Sequence, residues 1–465
     1  MVALALIPEA IAFSIIAGVD PQVGLYASFS IAVIIAIAGG RPAMISGATG
    51  AMALLMVPLV REHGVEYLFA ATIVTGALQV VFGWLGVGNL MRFIPRTVMT
   101  GFVNALAVLI FLAQLPYIFG ESWAVWGLVG LGLVIMYTLP RFTKAVPAPL
   151  VAVVALTGLV LAFDVRVPAV GGMGELPTTL PILGIPAVPF ELETLLIVAP
   201  YALALAFVGL LESLLTAQLL DDITDSPSDK ARESRAQGLA NVITGFFGGM
   251  AGCAMIGQSM INVRSGARTR LSTLSAGVFL LILILGLGGL VALIPMAALV
   301  AVMVVVAVAT FDWSSLSPNT LRRTPKTETT VMLVTVGVVV WTHNLAYGVI
   351  AGVVLAMIFF ARRAALHATM FSVLDPTGTV RSYVITGELF FASTNELVHQ
   401  FDLDDPTPNV IIDLTEADLW DSSAVATLDA VVARFAARGV DARITGLTDH
   451  SADLHDRLTG QLASH

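Results

Sequence analysis

The chain has 465 residues, of which 57% are hydrophobic and only 12% charged, against roughly 25% charged in an ordinary soluble domain. So little polar covering excludes a water-soluble globule and makes lipid the solvent for most of the chain. The formal charge of −9 is unevenly spread and says little about partners, and a single cysteine, Cys253, excludes an intrachain disulfide framework.

Met1 leads straight into an apolar stretch with no basic leader and no small-residue cleavage site, so a membrane helix is expected there rather than a signal peptide. That helix is short at its front. Apolar runs between charged or Pro/Gly breaks give about fourteen segments. They centre near Phe13, Ala32, Leu55, Ala77, Val108, Val134, Val154, Ala206, Val242, Met260, Leu283, Met303, Val338 and Val354. A Pro-rich stretch, Pro168–Pro189, divides them after the seventh. Two segments are unusually short and glycine-interrupted, Ser46–Val60 and Gly249–Val263, and each is third in its half.

An even number of crossings puts both termini on one side. With that count, sixteen basic residues, Arg92 and Lys144 among them, fall on the side of the termini, and only Arg61 and Arg166 fall opposite. The positive-inside rule then makes both termini cytoplasmic. After Arg363 the composition changes. Ser382–Ile385, Val410–Leu414 and Ala442–Gly446 read as strands, and Ala424–Ala437 has helical spacing with Gly439 as its stop. The expected organisation is a membrane domain over residues 1–363 and a small cytoplasmic α/β domain over 372–465.

Irregular backbone at membrane depth survives only where protein buries it or where it lines a cavity. Matched broken segments in two halves point to an inverted-repeat transport site. If each is an extended stretch followed by a half-helix, two helix N-termini meet near the midplane and favour an anion. Glycines at such places also serve close helix packing, which is the competing reading. Two carboxylates lie within apolar helices, Glu9 in the first and Glu212 in the eighth, with no basic residue deep enough to pair with either. They read either as groups satisfied inside the bundle or as a pair that binds protons or a cation beside the anion. Burial next to an anion favours a neutral carboxylic acid, as a proton carrier requires. His343 falls in an external turn. Asp221, Asp222, Asp225 and Asp229 form an acidic cytoplasmic loop expected to be solvated. No metal-ligand spacing, phosphate loop or nucleophile elbow is present, so no enzyme, cofactor, metal or nucleic-acid role is expected.

These residues resemble the sulfate permease (SulP) family of anion transporters. Ile7-Pro8-Glu9-Ala10-Ile11-Ala12-Phe13, Ala17–Pro21 and Gly24-Leu25-Tyr26 are similar to its first-helix signature. Gly209–Thr216 resembles its eighth helix, and Asn262–Thr269 the motif closing its tenth. Gly387–Phe391, Ile411–Leu414 and Asp421-Ser422-Ser423 resemble a STAS domain. The resemblance implies a 7+7 inverted repeat with core and gate domains, an elevator-like motion and a homodimer in the cell (inner) membrane. It further implies a substrate site lined by Phe13, by Ala48, Thr49 and Gly50, and by Met255, Ile256, Gly257 and Gln258. Many members carry Gln at the position of Glu9 and Arg at that of Gln258. With the acid gained and the arginine lost, Glu9 and Glu212 are the expected proton-coupling pair, and a small carboxylate such as fumarate or succinate the expected substrate. Sulfate or bicarbonate transport and a passive anion channel are the alternatives. Ile256 stands where sodium-coupled members present Thr, and it offers a hard cation no oxygen. Ser423 is expected to cap the helix beginning at Ala424.

Overall fold

The computed structural model describes residues 2–86, 88, 94–143, 146–365 and 368–459. Met1, Arg92, Lys144 and the last six residues, all used above, lie outside them. The chain divides into two compact units, Met1–Val353 and Val354–His465.

The first unit opens with α1 (Val2–Ala17), α2 (Pro21–Ala38), β1 (Ser46–Ala48), α3 (Gly50–His63), α4 (Val65–Trp84), α5 (Arg96–Gln114), α6 (Trp123–Phe142) and α7 (Ala148–Ala162). Its second half holds α8 (Leu192–Thr224), α9 (Lys230–Phe246), β2 (Gly252–Ala254), α10 (Ile256–Arg264), α11 (Arg270–Ala292) and α12 (Met296–Thr310). After these come a short α13 (Pro318–Arg323), α14 (Lys326–Thr342) and α15 (Leu345–Ala365), within which the division at Val353 falls. Every one of the expected segment centres falls inside a helix. Among the described residues, seven helices are long and apolar enough to cross a membrane, and α1, α7 and α12 are shorter apolar ones. The short α3 and α10 each follow a three-residue strand, so both broken segments are an extended arm leading into a helix.

Helix contacts sort the unit into two groups. α1–α4 pack with α8–α11, whereas α5–α7 pack with α12 and α14. Small residues explain the tightest seam. A Cβ on Gly76 of α4 would lie 2.4 Å from the Gly238 carbonyl of α9, and one on Gly238 would lie 2.5 Å from the Gly76 carbonyl. Side chains there would force the two backbones apart, which is the logic of small-residue crossings in membranes. The two halves of the sequence are thereby interlocked, core group with core group.

The turn that aims β1 is clamped from below. Buried Arg41 donates to the carbonyls of Leu220 and Ser226, each at 2.9 Å, and to the Thr224 hydroxyl, and it pairs with Asp221 at 3.2 Å. Lys230 reaches the other Asp221 oxygen at 2.6 Å. Buried Glu233 accepts from the N–H groups of Gly40 and Arg41 at 2.7 and 3.0 Å. Asp221 is therefore not the freely solvated loop residue expected from the sequence. It is half of an ion pair whose partner is buried.

The second unit holds β3 (Thr369–Leu374), β4 (Val380–Leu389), α16 (Thr394–Val398), β5 (Asn409–Leu419), α17 (Ser422–Ala436), β6 (Asp441–Thr445) and α18 (Asp449–Leu458). The sheet order is β3-β4-β5-β6, with β3 antiparallel to β4 and the other pairs parallel. Tyr383, Ile385, Ile412, Leu414, Val425, Leu428 and Phe435 form its core. At the β3–β4 turn, Asp375 accepts from the Thr377 hydroxyl and from the N–H groups of Val380 and Thr379. These bonds hold its carboxyl down at about 2. The cap of α17 is Asp421, whose Oδ1 accepts from the Ala424 N–H at 2.9 Å. Ser423 lies inside the first turn, so the expectation that it caps the helix is corrected. A carboxylate two residues earlier reaches the N3 donor that a cap must reach. The expected tail boundary at Ser372 falls within β3.

A fragment of residues 368–459 is expected to fold by itself, because its core is its own. In that fragment Ile412→Ala should cost about 2–5 kcal/mol, read from urea unfolding. A fragment with no cooperative transition would contradict its independence.

Candidate functional site

The site is built on the pairing of the two broken arms. β1 and β2 are antiparallel, with Ser46 opposite Ala254, Gly47 opposite Cys253 and Ala48 opposite Gly252. A Cβ on Gly252 would lie 2.2 Å from the Gly47 carbonyl, so glycine is what lets the arms approach this closely. Met255 N–H extends the pairing to the Ile45 carbonyl at 2.8 Å. Because the strands are antiparallel, α3 and α10 leave opposite ends of the ladder, each with its N-terminus at the ladder.

Three-residue strands leave many peptide groups unpaired, and buried side chains take these up. Asn241 accepts from the Gly252 N–H at 2.9 Å and donates to its carbonyl at 3.1 Å. The same amide donates to Gln79 Oε1 at 2.8 Å. Ser213 Oγ accepts from the Ala254 N–H at 3.1 Å, Ser28 Oγ from the Ala48 N–H at 3.2 Å, and Ser259 Oγ from the Ile45 N–H at 2.9 Å. Gln237 donates to the Ser46 hydroxyl at 2.6 Å. Sequence reasoning missed this set. Its available signal was polar residues embedded in otherwise apolar helices.

The expected site residues fall into linked groups around the ladder. Ala48 ends β1, Thr49 is the N-cap of α3, and Gly50 begins that helix. Phe13 is buried on α1 and touches this point, since a Cβ on Gly50 would lie 3.0 Å from its ring and 3.0 Å from Ile110. Met255 is the N-cap of α10, and Gln258, in its first turn, is buried and lies beside Glu9 of α1. Ile256 and Gly257 are exposed, and a Cβ on Gly257 would meet nothing within 4 Å.

Glu212 belongs to another group. Its Oε2 accepts from the Cys253 thiol at 2.7 Å, and Thr49 Oγ1 stands 3.1 Å from the same sulfur. Cys253 was not among the expected site residues. Both Glu9 and Glu212 are more than 90% buried, and among the described residues neither is in an ion pair. Their recorded side-chain partners are neutral: Gln258 for one, Cys253 and Thr49 for the other. A cavity of about 870 Å³ lies between Ile15 and Ala17 of α1, Leu54 and Pro58 of α3, Leu109 of α5 and Tyr201 of α8. Its lining comes from both helix groups and includes none of the expected site residues. No cluster of three His, Cys, Asp or Glu suited to a metal is present among the described residues.

The model of the sulfate permease family matches residues 1–126 and 121–335, and that of the STAS domain matches 373–459. YbaR of Bacillus subtilis, named as a candidate sulfate transporter, is 56% identical over 98% of this chain and 95% of its own length. The bicarbonate transporter BicA of Picosynechococcus is 31% identical over 67% of this chain and 60% of its own. Among solved structures, the transmembrane domain of a cyanobacterial BicA superposes with a TM-score of 0.67 at 25% identity, covering 76% of this chain and 95% of that one. Murine Solute Carrier 26 family member A9 shares the fold, with a TM-score of 0.83 at 16% identity over 98% of this chain and 86% of its own.

Two glycines separate architecture from pocket. Gly252→Ala is expected to lower the yield and the thermal midpoint of the solubilised protein, because its methyl collides with Gly47. Gly257→Leu should leave both near the parent and abolish anion binding. A Gly257→Leu protein that binds like the parent would make that segment packing alone.

Proposed function

We propose that this chain, which belongs to the sulfate permease family of anion transporters, is a proton-coupled symporter of a small carboxylate, with dicarboxylates such as fumarate or succinate as the class. The observation that carries this reading is that two buried carboxylates flank the half-helix arms with neutral partners only. A carboxylate left ionised in that position, without a counter-charge, is costly, and protonation removes the cost. The anion meets helix N-termini and the Gln258 amide rather than a guanidinium. Such a site suits a substrate that arrives together with a proton.

The choice of a carboxylate follows from the same balance. Dicarboxylates and sulfate are alike dianions at neutral pH, so either needs the proton that the acids bring. The carboxylate is chosen because an acid at Glu9, with no arginine at the position of Gln258, suits proton-coupled uptake of an organic acid. Bicarbonate, the substrate named for one relative, is the competing reading, because as a monoanion it asks less of the site. Transport proceeds by movement of the α1–α4 and α8–α11 group against the α5–α7, α12 and α14 group. The protein works as a homodimer in the cell membrane with both termini in the cytoplasm, as the basic-residue asymmetry supports. Transport needs no cofactor and no catalytic residue.

Glu9→Gln keeps the hydrogen-bonding shape of the neutral acid and cannot release a proton. In proteoliposomes it should retain fumarate exchange and lose uphill accumulation. The parent should concentrate substrate roughly tenfold per coupled proton for each pH unit imposed. If Glu9→Gln still concentrates substrate with a proton gradient, Glu9 is not the carrier and Glu212 takes its place.

A further inference from the structure

Thr49 occupies the N-cap of α3 with extended backbone angles, φ −129° and ψ 157°, yet its side chain makes no capping bond. A threonine in that position ordinarily turns its hydroxyl onto the N–H of the second or third helical residue. Here the hydroxyl points away, to the Cys253 sulfur at 3.1 Å. The diversion leaves the first-turn N–H groups of α3 without their usual side-chain acceptor.

Cys253 is placed to cause this. It is the central residue of β2, opposite Gly47, and strand alternation turns its side chain away from the face used by Gly252 and Ala254. Its thiol donates to Glu212 at 2.7 Å and remains available to the Thr49 hydroxyl, so one sulfur joins the β1 arm to α8. No charged group among the described residues is ion-paired with Glu212, and the ladder's other residues are glycine, alanine and Ser46, whose hydroxyl is taken by Gln237.

We infer that Cys253 is a positioning residue, which holds the Thr49 hydroxyl off its own helix and so keeps the α3 N-terminus free to receive the anion. This rests on the proposed placement of the anion at the half-helix arms and does not depend on proton coupling. Without the thiol, Thr49 swings back to cap α3 and competes with the anion for the same N–H groups. The thiol itself touches no substrate in this role.

The test is exchange kinetics of the full chain in liposomes at one pH with no proton gradient, using radiolabelled fumarate, sulfate and bicarbonate. Cys253→Ala should raise KM about fivefold, the size of one helix cap, with turnover within about twofold of the parent. Cys253→Ser supplies a hydroxyl to both neighbours and should return KM to near the parent value. A cavity or folding defect would instead lower turnover and folded yield and leave KM in place. An unchanged KM in Cys253→Ala, or a Ser variant no better than Ala, overturns the assignment. If Cys253→Ala does not fold, Cys253→Ser against Cys253→Val makes the same comparison. Failure of the anion placement itself is seen separately, as a Gly257→Leu protein that exchanges like the parent.

Discussion

A peptide group inside the hydrocarbon layer has no water to bond, and each one left unsatisfied costs several kcal/mol. That constraint governs this membrane unit. Two segments of the chain stop being helical where the sequence is rich in glycine and small residues. The structure tolerates them because each completes the other. The β1–β2 ladder satisfies the central peptides, and Asn241, Ser213, Ser28 and Ser259 satisfy those at its edges. Removing any one strands a buried donor. The interlocked core helices, held by the Gly76–Gly238 crossing, keep these side chains in reach.

From this arrangement the chemistry follows. Breaking two helices at matched places gives two helix N-termini at one ladder, and N-termini attract anions. The same burial keeps Glu9 and Glu212 away from counter-charges among the described residues. An acid, Glu9 of α1, and a neutral amide, Gln258 of α10, lie beside each other here.

Much of this was legible in the sequence, for physical reasons. Long apolar segments, the two glycine-broken ones and two acids within apolar helices are unambiguous because lipid penalises every exception. The pairing of the broken arms was not legible. Ser46–Ala48 and Gly252–Ala254 carry no strand pattern, and their partners lie about two hundred positions apart in the chain. Cys253 escaped notice for the same reason, since only the register places it between Glu212 and Thr49. In the tail, the core strands and α17 were readable from their apolar residues. β3 was not, being an edge strand with mostly exposed side chains, and neither was α18, whose one buried residue is Ser451. Asp221 looked like one of four loop acids because the partner that buries it, Arg41, arrives from the other half.

The central claim is that the anion and a proton cross together. Liposomes carrying the purified chain and a trapped pH-sensitive dye, with no pH or sodium gradient, test it when fumarate is added outside. The account predicts that the lumen acidifies as labelled fumarate enters, with the two signals rising together, and that sodium in the buffer makes no difference. Fumarate entry at full rate with an unchanged luminal pH, or entry that requires sodium, would contradict it.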